Sequence, residues 1–518
     1  MCRCRTLLAL GVAVLALATC RSDAAEALAN PGFESGTATD LSGWSVPSYW
    51  QGAVAVAAAP GEAHSGKRAA RLAATAKGEQ WWGRLLGTPL FDVHLGRPCR
   101  FSAWAKGTGS LRLGIIRYRP QKPGENPYVY LWQPEPVALT ADWRQLAFEY
   151  TIWEPEFQRT AFCIEVQGEN AVALLDDVAV ASTVPEGVTF TVDPVHPMLP
   201  EGGRCDLRFR LAGTAAAGSA RLFCFPPVGE PLRQELAVGA DGVVPFTLST
   251  GAAAAGLWRL MVAHADSGAT AEAWADVLPA AEFARFEQAA AGMRLPEGRL
   301  HLLVIGDSLT DFSRGSNYVD KLAFWLARRG GERCTVRNVG VGGDDITRVW
   351  ARLNQVPGTY RQAMYDGIFE PKPTHIIVFL GHNDSKAKST TNYTEHAVAP
   401  EVFDETYGKT LAKLKADTGA ALIVVSATSS VYEITKANAD KSQAAGKAHS
   451  LFGKPEHLER FNAIAQQVAA AAGATYLDVY GPTRDCPDKP RLFTADGVHL
   501  SPDGHRFVAL FLLERLFR

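Results

Sequence analysis

From about Arg299 to Arg518, short apolar runs alternate with longer amphipathic stretches, and this alternation restricts the fold more than any other feature of the chain. The pattern predicts strands at 301–305, 334–338, 375–380, 421–426 and 474–479, with helices near 317–329, 346–356, 403–417, 455–472 and 502–517. Strands separated by helices imply a parallel sheet covered on both faces. Right-handed crossovers make it a three-layer α/β sandwich. In such sheets the carboxyl ends of the strands face the ligand crevice, so the loops at that edge are the place to look for chemistry.

Four of those loops carry reactive or donor groups. The first strand runs into Gly306-Asp307-Ser308-Leu309, and the second into Asn338-Val339-Gly340-Val341-Gly342-Gly343-Asp344. The third runs into Gly381-His382-Asn383-Asp384, and Asp496-Gly497-Val498-His499 precedes the last helix. A serine hydroxyl is a weak nucleophile until a neighbouring base takes its proton. A histidine with an orienting carboxylate supplies that base. Glycine lets a backbone N–H approach a reacting centre, and an asparagine amide donates without adding charge. Taken singly, these are also ordinary turn and helix-start patterns. Together, at strand ends, they point to a serine ester hydrolase.

The four blocks, in this order, resemble those of the SGNH or GDSL-type hydrolases. The resemblance covers the C-terminal part of the chain. It implies Ser308 as nucleophile, His499 as base and Asp496 as the residue that holds His499. It implies an oxyanion hole made by the backbone N–H groups of Ser308 and Gly343 and the side chain of Asn383, with Gly340 the lesser alternative to Gly343. His382 is a candidate substrate contact or a structural residue. His505 is expected to pack within the last helix, and Asp344, Asp345 and Arg348 to pair with one another. None of the twelve histidines has zinc-site spacing, and catalysis is expected to need no cofactor.

At 518 residues the chain is long enough for several domains. Residues 26–183 read as short strands between Gly, Pro and polar turns, which suits an all-β sandwich. Asn30-Pro31-Gly32-Phe33-Glu34, Gly43-Trp44, His64-Ser65-Gly66-Lys67, Phe101-Ser102-Ala103-Trp104 and Leu175-Asp176-Asp177-Val178 resemble carbohydrate-binding jelly rolls. The resemblance implies a structural calcium held with help from Glu34, Asp176 and Asp177. Eight of the twelve tryptophans fall in this region. Tryptophans fill small cores, and they also stack on sugar rings. Trp81 and Trp82 are adjacent, so one should point away from the core. Tyr128, Tyr130 and Trp132 alternate and could share a face. These five are the candidate sugar platform.

Residues 184–281 suit an immunoglobulin-like sandwich acting as a spacer, and 282–298 a helical linker before the hydrolase domain at 299–518. The fold class is thus a C-terminal three-layer α/β sandwich preceded by two all-β sandwiches. Arg3 and Arg5 before an apolar run, followed by small residues near Ala24, read as a signal peptide over 1–25, with lipid anchoring through Cys20 as the alternative. Export permits disulfides; Cys99–Cys163, Cys205–Cys224 and Cys334–Cys486 form one possible pairing, free thiols the other. A formal net charge of −2 gives no reason to expect nucleic acid as a partner, and no later segment reads as a transmembrane helix.

The leading expectation is a secreted carbohydrate esterase that deacetylates a polysaccharide. A lipase, lysophospholipase or thioesterase on the same triad is the alternative among enzymes. A non-catalytic surface carbohydrate-binding protein is the alternative outside them.

Overall fold

Five parallel strands form the C-terminal sheet in the order Cys334–Asn338, Leu300–Gly306, His375–Phe379, Ala421–Val425, Thr475–Leu477. The computed structural model describes residues 30–518, except 36–42, 46–52, 58–61, 78, 88–90, 93–94, 120–127, 155, 158, 183–186, 195, 214–217 and 252–253. The expected signal peptide and Cys20 lie outside the described residues. Among the described residues no helix is long and apolar enough to cross a membrane.

Alternation along each strand separates two cores. Leu302, Val304, Ile377, Phe379, Ile423 and Val425 face one layer, with Leu322, Trp325, Val508 and Leu512 from the helices Tyr318–Gly330 and Pro502–Leu513. Leu303, Ile305, Ile376, Val378, Leu422 and Val424 face the other, with Val349, Phe403, Tyr407 and Phe461 from Ile346–Leu353, Pro400–Thr418 and Pro455–Ala471. The five expected strands and helices are all present. Among the described residues one helix of more than two turns was not anticipated, Tyr432–Ala444, which falls in a stretch that reads as polar loop.

The segment expected to be a linker belongs to the C-terminal core. Ala280–Ala291 is a helix, and Phe283, Phe286 and Ala290 on its buried face pack with Trp325.

Two sheets make the middle block: one of Thr189–Asp193, Arg204–Ala212 and Val243–Ser249, the other of Met198–Pro200, Gly218–Phe225, Leu232–Val238, Gly256–His264 and Thr270–Leu278. The block is more than a spacer. Its Met198 and Leu278 join the hydrolase-side core, and Trp325 Nε1 lies 3.1 Å from Met198 Sδ. Its Asp276 is buried between Lys321 Nζ at 2.8 Å and Arg506 Nε at 3.1 Å, both on helices of the C-terminal domain. On its other side Phe223 and Met261 enter the core of the first block, where Phe223 stacks with Trp153.

The first block is a sandwich of an eight-stranded and a five-stranded antiparallel sheet. In the strand Gln80–Gly87, Trp81 turns to the core and Trp82 to the outer face. Tyr128, Tyr130 and Trp132 line up on that outer face with Trp82. Val129 and Leu131 between them face the core. Trp81 therefore leaves the expected platform and only borders its groove.

Cys163, Cys205, Cys224, Cys334 and Cys486 are free thiols. Cys99 pairs across its strand with Tyr150 and Ser182 in one sheet, while Cys163 faces Leu86 and Gly114 in the other. The expected pairings therefore do not form.

Candidate active site

Ser308 begins a one-turn helix, Ser308–Asp311, directly after the first strand of the parallel sheet. Asp307 caps that turn, its Oδ1 accepting from Leu309 N at 2.9 Å. The turn is tight: a Cβ at Gly306 would fall 2.1 Å from Thr310 Oγ1. Any side chain there would drive the nucleophile's turn off the sheet.

His499 approaches from a loop at the other end of the domain. Thr494 N donates to the His499 carbonyl at 2.8 Å, and Phe493 and Leu500 bridge across the turn. His499 Nε2 lies 2.9 Å from Ser308 Oγ, and His499 Nδ1 lies 2.6 Å from Asp496 Oδ2. The other oxygen of Asp496 accepts from Thr494 Oγ1 at 2.8 Å, Val498 N at 2.8 Å and His499 N at 3.0 Å. Burial pushes the Asp496 carboxyl up, but these donors and His499 outweigh it and bring it down to about 2. Asp496 is thus an anion at any ordinary pH, and it fixes the proton of the imidazole on Nδ1. The remaining nitrogen is left as the acceptor facing Ser308.

The other two loops arrive from neighbouring strands. Gly343 has φ +81°, a conformation that disfavours every side chain but glycine's hydrogen. Its loop is held by Arg348 Nη1, which donates to the Gly343 carbonyl at 3.1 Å, and by Asp311, which accepts from Gly342 N at 2.8 Å. Asn383 sits in the one-turn helix His382–Ser385 after the third strand. Ser308, Gly343, Asn383 and His499 all line one cavity of about 470 Å³. The strands that deliver Ser308 and Asn383 are neighbours, at the point where the strand order reverses.

His382 is buried and lines the same cavity, with Nε2 3.0 Å from Thr428 Oγ1. Burial, with His499 nearby, brings it down to about 4, so it is neutral. Asp307 is fully buried, and that burial pushes it up to about 7. His505 packs within the last helix, stacked near Tyr318. Asp344 pairs with Arg352 at 2.5 Å rather than with Arg348, while Asp345 pairs with Arg348 at 3.7 Å, as expected, and caps the helix Ile346–Leu353.

Sequence reasoning missed the opposite wall of the cavity. Thr435, Asn438, Ala439 and Ser442 come from the unanticipated helix Tyr432–Ala444, with His449, Ser450 and Phe452 following it. Lys386 and Phe312 complete the lining. Only Phe312 had a signal, an aromatic in the turn directly after the nucleophile.

In the first block, Trp132 lies over Gly114 and stacks on Tyr130 with ring centroids 5.3 Å apart and planes 4° from parallel. The Arg84 guanidinium lies 4.7 Å from the Trp82 ring and that of Arg112 4.3 Å from the Trp132 ring. Buried Glu165 bonds both arginines, with Arg112 Nε at 2.8 Å. Glu34, Asp176 and Asp177 come together around Gly32 and the loop at residues 64–68. Glu34 accepts from Lys67 N at 2.7 Å, Asp176 from His64 N at 2.8 Å, and Asp177 from Ser65 Oγ at 2.7 Å.

Residues 304–507 match the GDSL-like lipase/acylhydrolase family. The C-terminal domain is a GDSL-type hydrolase domain of the serine-esterase kind, preceded by all-β domains. A lipase/acylhydrolase from Enterococcus faecalis is similar at 19% identity and a TM-score of 0.31, over 41% of this chain and 93% of that one. Carbohydrate-binding modules are also among the similar structures. TmCBM61, solved with β-1,4-galactotriose, has 21% identity and a TM-score of 0.21, over 30% of this chain and 95% of that one. The xylan-binding CBM22-1 domain of Paenibacillus barcinonensis Xyn10C has 20% identity and a TM-score of 0.22, over 29% and 90%. No curated protein matches the chain.

Proposed function

We propose that this protein is a secreted carbohydrate esterase that removes acetyl groups from a polysaccharide. The observation that carries the reading is the hydrogen-bonded run from Ser308 through His499 to Asp496, at 2.9 and 2.6 Å, opening on a cavity where Thr435, Asn438, Ser442, His449 and Ser450 stand among the apolar Phe312, Ala439, Phe452 and Val498. Hydroxyl, amide and imidazole groups suit a sugar's hydroxyls.

Ser308 Oγ attacks the ester carbonyl as its proton passes to His499 Nε2. The negative oxygen of the tetrahedral intermediate takes hydrogen bonds from Ser308 N, Gly343 N and Asn383 Nδ2, and the Asp496 carboxylate stabilises the imidazolium. The intermediate collapses by breaking the bond to the sugar oxygen, which leaves with the proton from His499. Water then attacks the acetyl-enzyme, its proton again taken by His499. Acetate departs and Ser308 regains its hydroxyl. Trp82, Tyr128, Tyr130 and Trp132 bind the glycan on the first block, and tethering raises its concentration near Ser308.

Covalent labelling by a fluorophosphonate, lost in Ser308→Ala, combined with acetate release across acetylated glycans, tests the reading. Folded protein that neither labels nor releases acetate would leave a carbohydrate-binding protein without catalysis. Preference for acyl chains beyond about eight carbons would instead favour a lipase or thioesterase, which needs a larger apolar site. A structural calcium at Glu34, Asp176 and Asp177 belongs to the same proposal, since carboxylates suit a hard cation. Unchanged melting in excess chelator would remove it.

A further inference from the structure

Lys386 stands three residues after Asn383, at the end of the same one-turn helix. Its Nζ lies 3.1 Å from Asn383 Oδ1. Lysine carries only donors. The amide atom facing it must therefore be the carbonyl oxygen, and the Asn383 NH₂ group must point the other way. Nothing else about an asparagine fixes which end faces a substrate, because its two ends have nearly the same shape. Lys386 is itself half-buried, lines the cavity, and lies 5.1 Å from the centre of the Phe452 ring. Among the described residues it makes no ion pair.

We infer that Lys386 is a positioning residue for the oxyanion hole: its ammonium holds the Asn383 carbonyl so that the amide N–H groups are directed at the developing negative charge on the substrate. The inference rests on Asn383 as an oxyanion donor. The alternative end, with the carbonyl toward the oxyanion, would repel the transition state, so the orientation matters more there than in substrate binding. The ammonium is also held below its usual range by burial and by the nearby Arg348 charge.

The test compares kcat and KM on a small acetyl ester for Lys386→Met, Lys386→Arg, Asn383→Ala and the double variant Asn383→Ala/Lys386→Met. Lys386→Met should lower kcat about tenfold or more with a smaller change in KM, since a misdirected donor costs the transition state. Lys386→Arg, still a pure donor, should recover part of that loss. In the Asn383→Ala background, Lys386→Met should cost nothing further. Unmodified protein should lose kcat on the alkaline side, and Lys386→Arg should move that limb to higher pH. A Lys386→Met enzyme with kcat within twofold of normal, a loss that adds in full to that of Asn383→Ala, or an alkaline limb identical in Lys386→Arg would each overturn the inference. Near-normal turnover in Asn383→Ala would instead remove Asn383 from the mechanism, a separate failure. Should Lys386→Met not fold, the alkaline limb in the unmodified and Lys386→Arg proteins still decides.

Discussion

The Phe312 ring lies against the imidazole of His499, with centroids 4.9 Å apart and planes 29° from parallel. Phe312 is 48% exposed, an unusual position for a large apolar ring. It borders both the main cavity and a smaller one on the far side of Ser308. The ring packs against one face of the imidazole while the Nε2 edge meets Ser308 Oγ. Phe312→Ala should lower kcat/KM on a small acetyl ester by about tenfold, as a base with freer orientation spends less time in line with Ser308. Melting should barely change, because so exposed a ring contributes little burial. An unchanged rate would mean that Asp496 and the loop fix His499 without help.

The three central C-terminal strands were legible because they are apolar on both faces and run into polar turns, as at Leu300–Gly306. The four reactive loops were legible for the same reason, since the strand ends place them. The helix Tyr432–Ala444 was not. It buries only Thr435 and Ala439 of its thirteen residues, so no apolar stripe marks it. Thr435, Asn438, Ala439 and Ser442 of the cavity wall were hidden with it. Phe283 and Phe286 did mark a helix, but what they pack against, Trp325, is a matter of tertiary contact that spacing does not reveal. The Lys386–Asn383 bond was equally invisible, since a lysine after an asparagine helix turn is common.

Asp307 gives a stability prediction with a definite sign. Its folded-state carboxyl is raised to about 7 from the ordinary 3.8, chiefly by burial. Below the ordinary value both folded and unfolded chains hold the proton. Between the two values only the folded chain holds it, so stability falls as pH rises through that window. Above it the full cost remains, on the order of 4 kcal/mol. Asparagine cannot ionise, and its Oδ1 can still accept from Leu309 N. Asp307→Asn should therefore gain on the unmodified protein as pH rises from about 4 to about 8 in denaturant melts. A stability gap that does not change with pH would show that Asp307 is not held protonated.

Asp276 ties the middle block to the C-terminal domain. It is buried with Lys321 and Arg506, one from each of two helices. Removing its charge leaves Lys321 buried without a counter-ion and Arg506 with Asp503 alone, a loss on the order of 3–5 kcal/mol. Asp276→Asn should melt well below the unmodified protein. Proteolysis should also cut more readily between the two blocks. A variant with all three replaced by apolar residues should recover much of the loss, because a filled, uncharged interface avoids desolvation. A single Asp276→Asn change that leaves melting unmoved would mean that the interface opens to water in solution.

Trp132 has the best-defined place on the aromatic face of the first block. It rests on Gly114, where a Cβ would fall 2.3 Å from its ring, and it lies flat on Tyr130. Its ring is held in advance, so a sugar stacking on it meets little ordering cost. Trp132→Ala should weaken binding to the acetylated polysaccharide about tenfold, the effect of roughly 1.4 kcal/mol. Gly114→Ala should do much the same without removing the tryptophan, by lifting the ring from its seat. Both changes should lower kcat/KM on the polysaccharide more than on a small acetyl ester, since only the polymer is long enough to hold both sites at once. Equal losses on polymer and small ester would mean that the face supports the fold and not the glycan. Gly114→Ala binding as tightly as the unmodified protein would mean that the flat seat of Trp132 is not what the sugar uses.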